Sequence, residues 1–408
     1  MTNPGSAAAA PPSPLRWRMP VALLVVSMIN WFDRSGMSLA LPKIAEEHGW
    51  NTTEIGANGG RLIATFFLGY GLANMLLSPL AERFGPRKSL MISVVAFSIC
   101  TALNSPFGAT VSALVALRFI LGVAEGIHFP MSSAIVGRWF PLNERSRANG
   151  IYIFGVQIAV IVGPLLMVPM ISHFGWRAMF LVLGTLGMVV ALPAVIGVLR
   201  DDGPYARPTG QAPTASPFAV FRNPDYWLIL LAGVGSNIIL YGLLTWLPTY
   251  LAEGRHVAFA DLAANTSAPY WLATLAIPIW AVVGDRTNKR ALFASIGCGL
   301  AGTLVLLGAR APTLLLTVVF LSAATFFQNA YQTAEFAFVQ RILPPDRVGA
   351  ATGLYNGIAI IVGAAGGTAL IGKIVEITGS YDSGLLVVVI AGWVNMALLA
   401  ILYRRIKY

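Results

Sequence analysis

The sequence predicts an all-α polytopic membrane protein of twelve transmembrane helices, arranged as two pseudo-symmetric six-helix bundles. Three observations carry this prediction. Of 408 residues, 56% are hydrophobic and 11% charged, and the mean hydropathy is +0.72. Soluble domains carry roughly 25% charged residues, so a water-facing surface of ordinary size cannot be built from this chain. The apolar residues also fall into continuous runs of about twenty, the length that crosses a bilayer as a helix. Finally, the two halves of the chain echo each other.

The first 18 residues, rich in Ala, Pro and Ser, read as a disordered cytoplasmic tail. Span one follows near 19–41. It is too long, and too charged in its second half, for a signal peptide. Spans two to six lie near 57–80, 88–105, 108–137, 146–171 and 176–199, closing an N-terminal bundle over 19–199. Residues 200–225 form the long polar, proline-bearing linker, expected on the cytoplasmic side. Spans seven to twelve lie near 226–252, 260–284, 291–309, 312–341, 348–374 and 383–403, giving a C-terminal bundle over 226–408. The runs are continuous rather than alternating, and backbone groups in lipid must be satisfied within the segment, so each is a helix.

The echo has a nearly constant spacing. "PLAERFGPRK" after span two matches "AVVGDRTNKR" after span eight, with Glu82-Arg83 and Asp285-Arg286 offset by 203 residues. "FPLNER" after span four matches "LPPDR" after span ten at an offset of 202, and Pro42 matches Pro248 at 206. A duplicated six-helix unit is the arrangement expected of a secondary transporter. With both termini on one side, that side holds nineteen of the 27 Lys and Arg and the other side six. Positive residues stay inside, so both termini are expected in the cytoplasm of a multi-pass inner (plasma) membrane protein. The net charge of +10 therefore reads as topology, with the lipid bilayer as partner and no nucleic acid. Cys100 and Cys298 each lie inside an apolar run, with no disulfide framework or metal-ligand spacing, so neither a metal nor another cofactor is expected.

Four ionisable residues stand deep in the spans: Asp33 and Arg34 in span one, Arg118 and Glu125 in span four. Each costs about 2.5–3.5 kcal/mol at mid-bilayer unless paired or hydrated. Arg118 and Glu125, seven residues apart, share one helix face, and Asn30 lies one turn before Arg34. Interhelical salt bridges that only hold the bundle together are the plain alternative, but apolar residues would do that at lower cost. The functional reading is a carboxylate site beside a proton relay. A guanidinium binds a carboxylate bidentately and stays charged, while Asp and Glu can load and release a proton.

The repeat offset places Ile239, Leu240 and Phe320 opposite the first-half charges, so the second half has no counterpart arginines. It offers neutral groups instead: Asn237, Tyr241 and Trp246 in span seven, Gln328, Asn329 and Gln332 in span ten, and Asn356 in span eleven. Each is balanced between substrate contact and helix–helix hydrogen bonding. Trp246 also fits an interface anchor. Tyr70, in the middle of span two, needs a polar partner and fits a pocket. His128 follows Glu125 by one turn and reads either as a tuner of its proton or as a packing residue. Glu335, two turns before Arg341, reads as an inner-gate salt bridge. The phenylalanines of span ten (Phe326, Phe327, Phe336, Phe338) read as lipid-facing bulk.

"NWFDR" at Asn30–Arg34, Tyr70 twelve residues before Glu82, "LRFILGVAEGIHFP" at Leu117–Pro130 and "RWFPLNERSRANG" after it resemble the anion:cation symporter family of the major facilitator superfamily. Bacterial sugar-acid transporters and the sialin-like carriers belong to it. The likeness covers nearly the whole chain and is specific in the first half. It implies that Arg34 and Arg118 bind the substrate carboxylate, that Tyr70 and Asn356 contact the substrate, and that Asp33 and Glu125 are the protonation sites. "SPLAERFGPRK" resembles the superfamily's cytoplasmic gate motif, so Glu82, Arg83 and Arg87, with Asp285 and Arg286 of the second half, are expected to latch the halves. Ser78 and Glu82 stand where the motif has glycine and aspartate, and Pro86 interrupts the basic run. His128 is outside the pattern.

The expected function is proton-coupled import of an organic anion (a sugar acid, hydroxy acid or aromatic acid) by alternating access, with the proton as coupling ion and one chain sufficient as a monomer. An organic-anion exporter or exchanger, or a facilitated uniporter, would share most of these residues. A membrane-embedded enzyme has no metal cluster, nucleophile elbow or phosphate-binding glycine loop in this sequence, and a sensor has no appended signalling domain.

Overall fold

The computed structural model describes residues 14–205, 217–342 and 348–405. The first thirteen residues of the tail, the middle of the linker, the "LPPDR" segment and the last three residues lie outside the described residues. Residues Pro14–Trp17, expected within the disordered tail, form a 3-10 turn: Arg16 pairs with Glu144 at 2.6 Å, and Trp17 meets the Phe140 ring edge-on.

The first half follows the punctuation of its sequence. Helix α1 (Arg18–His48) ends where Gly49 takes a left-handed backbone. Asn51 then caps α2 (Thr52–Leu76) in a reciprocal box with Glu54. The chain bends by 57° into the short α3 (Ser78–Phe84). Gly85, at φ +100°, turns it into α4 (Pro86–Phe107), and Pro86 sits at the first helical position, where no N–H is needed. Helix α5 (Val111–Glu125), capped by Thr110, stops at Gly126–Ile127, and the span resumes as α6 (His128–Trp139). Helix α7 (Leu142–Leu186) continues through a π-helical turn, Gly187–Ala191, into α8 (Leu192–Val198). A straight helix of that length would reach about 80 Å against roughly 30 Å of hydrocarbon. It breaks at Gly175 (φ +81°), so it makes two passes.

In the second half, α9 (Pro224–Thr249) is capped by Asn223 and ends in a π-helical turn, Tyr250–Gly254. Helices α10 (Leu262–Thr287) and α11 (Arg290–Ala309) follow. Helix α12 (Leu314–Gln332) breaks at Thr333–Ala334 before α13 (Glu335–Ile342), as α5 breaks before α6. Helix α14 (Val348–Ile358) passes through a π-helical stretch, Ala359–Gly366, into α15 (Gly367–Thr378), and α16 (Tyr381–Arg405) ends the described chain.

By length and apolarity, nine described segments can cross a membrane, or ten with the bent pair α2–α3. One of the nine makes the two passes divided at Gly175. Helix α1 falls short of the others in apolarity because Asn30, Asp33 and Arg34 occupy its middle. Together these segments account for twelve passes, which return the last helix to the face where the first began.

The halves pack most tightly at the end opposite the termini, and α2 also meets α14 toward the other end. Gly56 and Gly60 of α2 pack against Gly372 of α15 so closely that a Cβ on Gly56 would lie 2.7 Å from the Gly372 carbonyl oxygen. Beside this seam, Trp246 donates to the Thr368 carbonyl at 3.2 Å. Helices α7 and α10 join through Ser267 to the Ile161 carbonyl (2.7 Å) and Thr274 to Gln157 (3.1 Å). Large apolar side chains such as Ile92, Phe174, Val189 and Leu315 project outward, as lipid-facing residues do. In span ten only part of the lipid-facing expectation holds: Phe338 is fully buried, and Phe326 and Phe327 are half-buried against Trp280. The Phe336 side chain lies outside what is described.

Candidate functional site

All four mid-span charges are buried, Glu125 completely and Asp33, Arg118 and Arg34 at 1%, 2% and 4% exposure. Helix α1 supplies Asn30, Asp33 and Arg34, and α5 supplies Arg118 and Glu125 just before its break. Arg34 Nη2 lies 3.3 Å from Glu125 Oε2, longer than the 2.7–2.9 Å of a tight charged hydrogen bond. From its other nitrogen Arg34 reaches Tyr241 Oη of α9 at 3.5 Å, so the first-half cation faces the second half.

Aromatic faces surround these cations. The Arg34 guanidinium lies 4.5 Å from the Trp31 and Tyr70 ring centres and 5.2 Å from Phe66. Arg118 lies 5.7 Å from the same Phe66 ring, which places the two guanidinium groups around one side chain. Tyr241 in turn packs on Phe67 at 4.5 Å. Phe66, Phe67 and Trp31 are additions to the sequence reading. Their signal was there, since they sit three or four residues from Tyr70 and Arg34, but an aromatic in an apolar run does not announce a cation beside it.

The polar inventory is incomplete in a specific way. Arg118 Nε and Nη2, Arg34 Nε, both Asp33 oxygens, both polar atoms of Asn30 and Glu125 Oε1 are buried and meet no hydrogen-bond partner among the described residues. Buried polar groups are nearly always hydrogen-bonded, by protein or by ordered water, so this cluster is the most polar and least internally satisfied part of the described interior. Two arginines offer fork-shaped donors to an anion, and two carboxylates lie beside them.

The second-half amides divide. Gln328 donates to Ser236 Oγ at 2.7 Å and Gln332 to the same oxygen at 3.2 Å, while Asn237 bonds the Gly233 carbonyl and Asn329 the Thr325 carbonyl. The N–H groups of these four are thus used within their own half. Trp246 lies at the α2–α15 seam, level with Leu41 and two turns along α1 from Arg34. Asn356 instead crosses the halves and donates to Asn74 Oδ1 at 3.3 Å, and Asn74 donates to the Gly126 carbonyl at 3.1 Å. Asn74 was missed in the sequence, although it stands one turn after Tyr70 on the same face of α2.

His128 takes the packing alternative at one nitrogen: Nε2 lies 3.0 Å from Ser27 Oγ of α1, and the ring meets Phe129 edge-on. Glu335 does not form the expected salt bridge with Arg341. It accepts from Tyr355 Oη at 2.8 Å, Tyr355 meets Tyr331 Oη at 2.8 Å, and no described cation pairs with it.

Two of the five gate residues, Arg87 and Asp285, are engaged within their own halves. Arg87 donates from its backbone to Asp201 Oδ1 (3.1 Å) and from its side chain to the Ile196 carbonyl (2.7 Å), and Asp201 also pairs with Arg138 at 3.3 Å. A Cβ on Gly85 would lie 2.9 Å from Asp201, so this turn leaves room for the carboxylate. Asp285 pairs with Arg290. Glu82, Arg83 and Arg286 are exposed and make no ion pair with another described residue. Asp201 and Arg138 were not legible, because nothing in their spacing brings the linker to α4.

A twelve-pass helical fold with a buried charge cluster facing both halves is that of a secondary transporter. The chain belongs to the Major Facilitator Superfamily, whose family model matches residues 23–264 and 251–407. It is thus a membrane transport protein and not an enzyme. It is similar to a probable sulfoacetate transporter of Cupriavidus necator, 28% identical over 88% of this chain and 87% of that protein. It is also similar to a probable L-galactonate transporter of Escherichia coli K12, 27% identical over 90% and 84%. A hexuronate transporter of Bacillus subtilis is 25% identical over 90% of each chain. Among solved structures, an inward-facing bacterial homolog of the human lysosomal transporter Spinster shares the fold, with a TM-score of 0.77 at 19% identity over 96% of both chains.

Proposed function

We propose that this chain is a proton-coupled symporter that imports a small organic anion across the inner membrane. Arg34 and Arg118 hold the substrate's acidic group, and Tyr70, Tyr241 and Asn356 line the space around it. Asp33 and Glu125 carry the coupling protons. The observation behind this reading is the long Arg34–Glu125 pair beside an Arg118 whose buried nitrogens meet no acceptor. A proton on Glu125 releases Arg34, and the entering anion replaces the lost carboxylate as the cation's partner. Proton and anion thus act on the same guanidinium groups, and their coupling is reciprocal.

The halves rock about this site. By the positive-inside reading the termini are cytoplasmic, so the seam at Gly56, Gly372 and Trp246 closes the periplasmic end, and the Glu82, Arg83, Arg87, Asp285 and Arg286 latch is open. Gln328, Asn237 and Trp246 shape the second half rather than contact the anion, because their donors are used within it. The aromatic lining and the scarcity of free second-half donors favour a compact acid over a long polyhydroxylated one. The similarity to carriers named for sulfoacetate, galactonate and hexuronate supports an acidic cargo.

Purified protein in liposomes, given sulfoacetate, galactonate, glucuronate, lactate and benzoate with and without an inward proton gradient, tests this function. Accumulation of at least one acid above equilibrium, abolished by collapsing the gradient, is the expected result. Uptake that only equilibrates and ignores the gradient would leave a uniporter.

A further inference from the structure

We propose that Asn74 is a positioning residue that ties the break in the Glu125 helix to the opposite half of the molecule, through Gly126 on one side and Asn356 on the other. The inference rests on the reading of Glu125 as a coupling acid and extends it to a residue that touches neither proton nor anion.

The break has a covalent origin. In a helix the carbonyl of residue i accepts from the N–H of residue i+4. For Gly126 that residue is Pro130, which has no N–H. Helix α5 accordingly stops at Glu125, and the chain restarts at His128. Asn74 supplies the missing donor from α2, its Nδ2 lying 3.1 Å from the Gly126 oxygen.

That bond dictates the other end of the side chain. A carbonyl only accepts, so the Asn74 nitrogen must face Gly126 and its oxygen must face away. Asn74 Oδ1 then accepts from Asn356 Nδ2 of α14 at 3.3 Å. Asn74 is 5% exposed, and α2 lies so close to the break that a Cβ on Gly126 would sit 2.5 Å from the Tyr70 carbonyl oxygen. Water therefore has little room to replace the amide.

A bond serving only to mend the helix would need nothing from Asn356. The second bond crosses between halves whose separation must change in alternating access. When α14 moves, it loads or unloads Asn74, and Asn74 acts on the carbonyl adjoining Glu125. Protonation at Glu125 and rocking of the second half then bias one another through one amide.

Hydrogen exchange on the full chain in lipid nanodiscs tests the tie without a substrate. The reporter is the stretch 125–134, in wild type, Asn356→Ala, Asn74→Ala and the double variant. Asn356→Ala leaves the Asn74–Gly126 bond in place, yet should speed exchange at the break by about threefold, the scale of one weakened hydrogen bond. In the Asn74→Ala background the same change should add nothing. A break that ignores Asn356→Ala, or effects that add in full, would overturn the tie.

Its role in coupling is read separately, in liposomes loaded with a pH-sensitive dye and given sulfoacetate or galactonate. Both single variants should raise the ratio of protons to acid entering by twofold or more. An unchanged ratio would overturn the coupling role. A wild-type chain that moves no acid would sink the symport reading, and the exchange data would still decide the tie.

Discussion

Arg118 and Arg34 differ in what surrounds them, and so should their variants. Arg118 has buried nitrogens that meet no acceptor, so Arg118→Ala removes an anchor without freeing a partner. Loss of a buried charged contact of this kind is worth several kcal/mol, so saturable acid uptake is expected to fall about hundredfold or more. Arg34 pairs with Glu125 and stacks on Trp31 and Tyr70. Arg34→Lys keeps the charge but loses both the fork and the stacking, and it is expected to raise the half-saturating concentration at least about tenfold. Glu125→Gln keeps the shape while removing the ionisable group. Exchange of labelled for unlabelled acid should persist in that variant, while gradient-driven accumulation falls to equilibrium. Retained accumulation would remove Glu125 from the coupling.

At the level of elements, the α2–α15 seam is the most demanding contact between the halves. A Cβ on Gly372 would lie 2.5 Å from the Gly56 carbonyl oxygen and 2.8 Å from the Gly60 Cα, both backbone atoms that cannot swing away. Gly372→Ala must therefore push α2 and α15 apart. Overpacking of this kind costs about 1–3 kcal/mol, so a lower melting temperature and greater reagent access at this end are expected.

The end of α1 makes a milder, pH-dependent contact. Arg177, first, and then Trp176 hold the Glu47 carboxyl below its usual range by hydrogen bonding to its charged form. A carboxylate with a lowered folded pKa adds stability above its unfolded value near 4.5, and loses it as pH falls through the folded value. The melting-temperature difference between wild type and Glu47→Gln should thus be present at pH 7 and shrink as pH falls from 4.5 through the lowered folded value. The group is largely exposed, so the difference at pH 7 should be about 2 °C or less.

Over the whole molecule, the structure captures one arrangement of two halves. The end opposite the termini is sealed by α2–α15, with α7 and α10 joined nearer mid-span, while Arg87 and Asp285 of the gate bond within their own halves. Alternating access requires the sealed end to open. Thr274→Cys with Gln157→Cys replaces a cross-half hydrogen bond of 3.1 Å by two thiols. Oxidation should tie the halves together near mid-span and bring uptake to background, and a reductant should restore it. Full-rate transport by the oxidised protein would show that the halves need not part there.

The sequence by itself determined the class of molecule, the number of passes and the identity of the buried charges. Runs of about twenty apolar residues admit only helices in lipid, and Asp33, Arg34, Arg118 and Glu125 stand out because ionised groups there are costly enough to need a reason. The Pro130 that breaks the Glu125 helix was equally present in the letters. What only the tertiary structure decided is which polar groups are already committed to partners. Gln328, Asn237 and Asn356 look alike along the chain, yet the first two bond within their half and the third crosses to Asn74. Asp201 reaches α4 across more than a hundred residues, and Glu335 finds a tyrosine where an arginine was expected. A hydrogen bond is a short-range, directional contact between groups that folding brings together, whereas apolarity and charge belong to each residue before it folds. Span and charge are therefore readable one residue at a time, and partnership is not.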